Sequence, residues 1–217
     1  MQRVRVLTTS SNEPVSLALL KAALKVSYDA DDTYLSTLPK AARETVEKMT
    51  RTCVVRKTLE LSLDLEDFGG AQQGGRSLDW EGVREGPISL FSAGEISIPH
   101  PPLISIESLT TYDINNVSAV YNASNYRADT STPLQKGRLC FNFSAVLPPV
   151  MRTKNCAVIA FTAGYADGSV PSDLVNAILT TAAWAAKHRV PCDENACKNC
   201  GAAATLSQYT ILEAGIR

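Results

Sequence analysis

Four residues with metal-binding side chains lie within a 13-residue stretch of the sequence. They are His188, Cys192, Cys197 and Cys200. Zn²⁺ takes thiolates and imidazoles as ligands in tetrahedral structural sites, and Cys197-x-x-Cys200 has the spacing of a chelating pair. The spacing therefore predicts a zinc site that staples a loop of low apolar content. Free thiols are an alternative, as is a Cys192–Cys200 or Cys197–Cys200 disulfide formed after cell lysis.

The rest of the sequence offers little catalytic chemistry. It contains only two histidines, His100 and His188. No Ser, Cys or Asp lies in a nucleophile elbow, and no glycine loop has phosphate-binding spacing between a strand and a helix. A catalytic site assembled from distant residues is an alternative, because the members of a catalytic triad can lie far apart in a chain. We predict that the protein is not an enzyme and has no catalytic residues.

His188 lies near the end of the clearest predicted helix, over residues 170–189. Apolar residues at helical spacing form one face of this helix, and polar residues form the opposite face. Trp184 falls on the polar face. It is covered there either by a loop of its own chain or by a neighbouring subunit, because exposed aromatic residues tend to mark contact sites.

Two further helices precede a segment with strand periodicity. The second helix runs to about Arg51, and Pro39 marks either a kink or its true first turn. Leu59, Leu61, Leu63 and Leu65 then alternate with polar residues, as in a strand with one buried face. We predict an α+β fold: a small helical bundle, made of an N-terminal helix pair and a long C-terminal helix, with an inserted antiparallel β-rich region. Its predicted parts are N-terminal helices (1–53), the β-rich insertion (54–165), and the C-terminal helix with cysteine loop and tail (166–217).

Composition excludes several classes of function. The 217 residues carry a net charge of −1, which gives no electrostatic case for wrapping nucleic acid. No apolar run approaches the length of about 20 residues that a membrane span needs. The N-terminal residues lack the apolar core of a signal peptide, so we expect the protein to be made in a cytoplasm.

Four segments, in this order, resemble the head–tail connector (adaptor) proteins of long-tailed bacteriophages and gene transfer agents, in the larger form with a β insertion. They are EPVSLALLKAALKVSYDADDTYLSTLPKAARETVEKMT; LELSLD; ISIPHPPLISIESLTTYD, followed by YRADT and GRLCF; and VIAFTAGYADGSVPSDLVNAILTTAAWAAKHR. The most specific signature is FTAGY followed by a proline and an amphipathic helix. Pro39 and the cysteine loop depart from the family pattern.

The resemblance implies a structural virion protein that is assembled in the host cytoplasm. Such proteins form rings, commonly of twelve copies, beneath the portal protein. They extend the DNA channel without sequence-specific DNA binding and dock the next connector, stopper or tail protein. In this ring Trp184 is expected at a subunit contact. The C-terminal segment is expected to reach the portal through Tyr209, Ile211 and Leu212.

An alternative is a zinc-stapled intracellular regulatory module that binds a protein partner as a monomer. A stoichiometric metal and a strictly monomeric particle would favour this alternative. A ring on the portal would favour the connector.

Overall fold

The structure is a computed structural model that describes residues 3–64, 95–131, 135–142 and 151–189. The chain divides into two compact units. The first, the β unit, draws on Met1–Thr8, Lys57–Pro99 and Leu103–Ala163. The second, the helical unit, draws on Thr9–Arg56, His100–Pro102 and Gly164–Arg217.

Two antiparallel sheets make up the β unit. Its strands, in chain order, are β1 (Arg3–Thr9), β2 (Lys57–Leu63), β3 (Glu95–Ile98), β4 (Leu103–Tyr112), β5 (Ser118–Val120), β6 (Tyr126–Asp129), β7 (Gly137–Phe141) and β8 (Ala157–Ala163). The larger sheet has the order β1-β2-β8-β4-β5, and the smaller sheet has the order β3-β7-β6. The central strand β8 pairs antiparallel with both β2 and β4.

The alternation predicted for β2 is confirmed over its described residues. Leu59, Leu61 and Leu63 are buried, while the residues between them are half-buried. Across the ladder, Leu59 faces Phe161 and Leu61 faces Ile159, so both strands direct their apolar side chains to the same face. This face of the larger sheet supplies much of the core of the β unit.

The smaller sheet adds its own apolar face to the core of this unit. Ile96 and Ile98 on β3 and Leu139 on β7 are buried. Gly137 on β7 lies against the Leu103 side chain of β4 so closely that a Cβ atom at Gly137 would collide with it. A glycine is therefore required at this contact between the two sheets.

The other face of the smaller sheet carries a charge network around Asp129. Arg138 donates to Asp129 (2.7 Å) and to Glu95 (2.8 Å), and Ser131 donates to Asp129 through its hydroxyl (2.7 Å) and its backbone N–H (3.2 Å). These Ser131 bonds, together with the Arg138 guanidinium, lower the pKa of Asp129 from 3.8 to about 2.

We expect Asp129 to stabilise the β unit in a pH window set by that pKa. The folded pKa lies below the unfolded value, so the stabilisation is present above pH 3.8 and is lost as the pH falls through about 2. The urea midpoint of Asp129→Asn should therefore differ from that of the unchanged chain near neutral pH and converge with it in acid. Carbon NMR of the carboxyl group should place the pKa near 2 directly. A midpoint difference that is constant across this range would contradict the assignment.

Four helices form the described part of the helical unit: α1 (Leu17–Leu24), α2 (Asp32–Leu35), α3 (Leu38–Thr50) and α4 (Ser172–His188). Pro39 lies in the first turn of α3, where its missing N–H has no partner to lose, so it begins the helix rather than kinking it. The buried core of the unit includes Leu20, Val46, Leu174 and Ile178. None of the helices in the described ranges is long and apolar enough to cross a membrane.

The predicted fold, a helical bundle into which an antiparallel β region is inserted, is wrong. Two antiparallel sheets dominate the architecture, and the larger one takes its edge strand β1 from residues that precede the first helix. The β region is therefore not an insertion between helices. The predicted N-terminal pair corresponds to α1, which has eight residues, and to a second region that is divided into α2, with four residues, and α3, with thirteen. The spacing of apolar residues identified individual helices and strands but could not show which strands share a sheet.

Candidate functional site

The helix that carries Trp184 and His188 begins directly after a proline. The helix α4 starts at Ser172, and Pro171 occupies the cap position without a side-chain cap bond. Asp173 in the first turn complements the positive end of the helix dipole. Trp184 and His188 are four residues apart, so they lie one above the other on the same side of α4.

Trp184 and His188 form a stacked pair in the last turn of α4. Their ring centroids are 4.3 Å apart with an interplanar angle of 23°. His188 Nδ1 lies 2.8 Å from the backbone oxygen of Trp184. A carbonyl oxygen can only accept, so Nδ1 carries the hydrogen, and in the neutral ring the lone pair then lies on Nε2. Metal-binding histidines show this arrangement, with one ring nitrogen donating to a carbonyl and the other free to coordinate.

Arg189, the residue that follows α4, binds the N-terminal end of α2. The Arg189 guanidinium donates to Asp31 (3.0 Å) and lies 5.5 Å from the ring centroid of Tyr34. The Tyr34 hydroxyl donates to the Ala185 oxygen (3.3 Å), and the Arg189 N–H donates to the same oxygen (2.8 Å). The point at which the chain enters the cysteine-containing stretch is therefore fixed within the helical unit.

The structure locates only part of the predicted site. Trp184 is half-buried and packs against the core of the helical unit, while His188 is exposed. Cys192, Cys197, Cys200, Tyr209, Ile211 and Leu212 lie outside the described residues. Within the described ranges, no group of three or more His, Cys, Asp or Glu side chains could hold a metal ion. The zinc site and the interface residues stay predictions.

A pocket of about 320 Å³ lies in the helical unit and was not found from the sequence. Its walls combine apolar side chains, including Val54, Val55 and Val175, with the polar residues Asn12, Glu13 and Asp167. The Asn12 amide donates to the Asp167 carboxylate (2.5 Å), which joins the two sides of the polar rim. No local motif marks these residues, because they come from three separate parts of the chain.

Glu13, which lines the pocket, also belongs to an ionic network centred on the buried Arg43 side chain. The Arg43 side chain is 2% exposed and donates two bonds to Glu13, at 2.8 and 3.1 Å. It donates a third bond to Glu47 (2.8 Å), whose other oxygen accepts the Val54 backbone N–H (2.9 Å). The network thus connects α3 to Glu13, which precedes α1, and to Val54, which follows α3. It also fixes the position of the Glu13 carboxylate in the pocket wall.

Comparison with known proteins gives a fold relationship over the full chain. No protein-family model matches the sequence, and no curated protein matches it. Among solved structures, the chain is similar to one in the neck of an empty gene transfer agent particle computed with C6 symmetry. The TM-score is 0.69 at 16% identity, covering 99% of this chain and 98% of that chain. The chain shares the fold of a neck chain.

Two other solved structures agree with this result. A chain in the virion of a native gene transfer agent particle has a TM-score of 0.69 at 18% identity, over 99% of this chain and 98% of that chain. A chain in the neck of a native particle computed with C12 symmetry has a TM-score of 0.59 at 19% identity, over 97% and 99%. These likenesses confirm the part of the sequence resemblance that concerns gene transfer agents, at the level of the fold.

Proposed function

We propose that the protein is a structural neck protein of a phage-like virion: a head–tail connector that forms a ring beneath the portal. The observation that carries the proposal is the likeness to neck chains, which extends over at least 97% of both chains. A match of this extent involves both the β unit and the helical unit. The C6 and C12 symmetries of the similar necks support a ring of six or twelve copies, and we propose twelve.

In this proposal the ring extends the DNA channel and docks the next connector, stopper or tail protein. A net charge of −1 supports passage of DNA, because a strongly basic channel wall would bind the phosphates and hold the duplex. The role is structural and requires no catalytic group. Trp184 and the segment with Tyr209, Ile211 and Leu212 are the proposed contacts with the neighbouring subunit and the portal.

We also propose that zinc staples the segment that follows α4. The contact between His188 Nδ1 and the Trp184 oxygen supports this, because in the neutral ring it leaves Nε2 as the nitrogen that can bind a metal. Cys192, Cys197 and Cys200 would complete a tetrahedral set. Such a staple would stabilise the chain directly beyond the Arg189–Asp31 anchor.

The deciding experiment is electron microscopy of the purified chain mixed with the portal protein of the same particle, with zinc measured on the same sample. We expect a ring stacked on the portal and about one zinc per chain. His188→Ala and the triple replacement of Cys192, Cys197 and Cys200 by Ser should both lower the zinc content. Cys140→Ser is the control, because Cys140 lies on a strand of the smaller sheet.

Two results would contradict the proposals separately. A chain that stays monomeric beside the portal while it holds one zinc would contradict the ring and favour a zinc-stapled binding module. A ring that contains no zinc would leave the neck assignment intact and remove the metal site.

A further inference from the structure

The edge strand β1 exposes all seven of its residues. It is the outermost strand of the larger sheet, so one of its two backbone edges has no neighbouring strand among the residues that the structure describes. Val4, Val6 and Leu7 on this strand are 37%, 51% and 43% exposed. An edge strand with unpaired backbone groups and uncovered apolar side chains is a template for pairing with another chain.

The opposite side of the same sheet also has an open edge. The short strand β5 pairs only with Thr110–Tyr112, the last three residues of the ten-residue strand β4. Among the described residues, no strand pairs with the outer side of Leu103–Ser108. This open stretch of six residues is close in length to the seven-residue strand β1.

Two bulges interrupt the pairing of β4 with β8 beside this open edge. The pairing of β4 with β8 skips Ile104 and Glu107, which are therefore the extra residues of the bulges. Ile104 is 37% exposed, and Glu107 is also exposed. A bulge re-aims the side chain at the irregular position, and here it presents one apolar group and one carboxylate.

The charges at the two open edges are opposite. Arg5 on β1 has a side chain that is 79% exposed and approaches Glu60 only to 4.0 Å. Hydrogen bonds from Ser105 (2.6 Å) and Thr162 (3.1 Å) hold the pKa of Glu107 below its usual value. No cation among the described residues forms an ion pair with Glu107. An exposed arginine and an ionised carboxylate thus lie at opposite edges of one sheet.

Arg5 and Glu107 also lie on the same face of the larger sheet. Glu107 accepts from Thr162, and Thr162 is paired with Thr58. Glu60 is two residues beyond Thr58 on β2 and so points to the same face, and Arg5 reaches Glu60. If two such sheets met edge to edge, the arginine of one and the carboxylate of the next would lie on a common face.

We propose that β1 of one copy of this chain adds to the open edge of β4 in the next copy, with Arg5 facing Glu107 of its neighbour. The contact joins two different surfaces head to tail, which is the type of contact that closes a ring. Val4 and Val6 meet the apolar side of β4 in the neighbour. This inference rests on the proposed ring and identifies the surfaces that hold its subunits together.

Charge reversal tests the contact in rings assembled on the portal. Arg5→Glu and Glu107→Arg each place like charges opposite each other. Each should raise the protein concentration needed for half-maximal ring formation by about tenfold or more, since every contact in the ring is affected. The double variant Arg5→Glu/Glu107→Arg has the original net charge and should recover most of the loss. The control pair is Arg127→Glu/Glu107→Arg, because Arg127 is exposed on β6 and lies outside the proposed contact.

Carbodiimide coupling gives a second measurement that does not depend on assembly strength. In rings of Arg5→Lys, the new amine should form an amide bond with Glu107 of a neighbour, with loss of water after carbodiimide activates the carboxylate. Coupling within one chain can give only fully light or fully labelled products, whereas coupling between copies also gives a mixed product. Mixed light and ¹⁵N-labelled chains identify it by mass, and coupling to Glu60 of the same chain is the internal control.

The outcomes separate this inference from the proposed function. If the unchanged chain forms no ring on its portal, the proposed function fails. If it forms rings that both single reversals leave unchanged, or that yield no coupling between copies at Glu107, the ring stands and this contact is overturned. If Arg5→Ala promotes association, Arg5 protects the edge against pairing and the inference is likewise overturned.

Discussion

Replacing Arg43 by Met should lower the free energy of unfolding of the helical unit by about 3–5 kcal/mol. The arginine is 2% exposed, donates hydrogen bonds to the carboxylates of Glu13 and Glu47, and lies 3.8 Å from that of Glu44. The Glu47 side chain, which is 9% exposed, would lose the guanidinium that binds it at 2.8 Å. The cost arises from the loss of three hydrogen bonds and from a nearly buried carboxylate that loses its hydrogen-bonded cation. Urea unfolding followed by circular dichroism at 222 nm measures the change.

Two further variants separate the charge from the loss of side-chain packing. Arg43→Met/Glu47→Leu removes the buried pair together, and we expect it to recover much of the stability, because apolar residues of similar volume often replace buried ion pairs without loss. Arg56→Met is the matched control in the same unit, and its exposed side chain should give a change within about 0.5 kcal/mol. A loss below about 1 kcal/mol for Arg43→Met would show that the network does not hold the helical unit together.

The second large effect is expected at Gly164, where the chain leaves β8. Its φ of +110° is a conformation that L-residues rarely adopt, and an added Cβ would collide with the Val55 backbone oxygen. The Gly164 N–H also donates to Pro102 (2.9 Å), which limits how far the backbone can move away. Gly164→Ala should therefore lower the free energy of unfolding by about 3–5 kcal/mol, from backbone strain and overpacking together.

Gly168 provides a close control for this prediction. It also has a positive φ, +75°, but a Cβ at this position would meet no atom within 4 Å. Gly168→Ala should therefore show the backbone strain alone, about 1–2 kcal/mol. Equal losses for the two variants, measured by the same urea titration, would contradict the steric explanation for Gly164.

Helices and strands whose apolar residues recur at a regular spacing were predictable from the sequence, but the way these elements pack together was not. The helical period predicted a helix over residues 170–189, and α4 spans Ser172–His188. The alternation at Leu59, Leu61 and Leu63 identified β2. The pairing of β2 with β8 joins residues about a hundred positions apart, and no local pattern encodes it. The bundle was expected because helices flank the strands in the sequence, although sequence order does not determine which elements pack together.

The candidate sites show the same limit. The spacing of His188 and the cysteines could be recognised because it lies within one short stretch. The Arg43 network could not, because Glu13 precedes Arg43 by thirty residues and the arginine looks like any charge on a helix. Glu107 was also overlooked. Its exposure depends on bulges that arise only when β4 meets β8.

The position of β8 in the larger sheet has a consequence for how the chain folds as it is synthesised. β8 is the central strand of the five, yet it is the last of them to leave the ribosome. Until residue 163 has emerged, the strand that pairs with both β2 and β4 is missing. The leucine side chains of β2 and β4 that are buried in the folded protein then remain exposed to solvent. Pairing at such long sequence separation is also slow. The nascent chain therefore passes through a period of exposed apolar strands, in which chaperone capture competes with aggregation, before its own last strand closes the sheet.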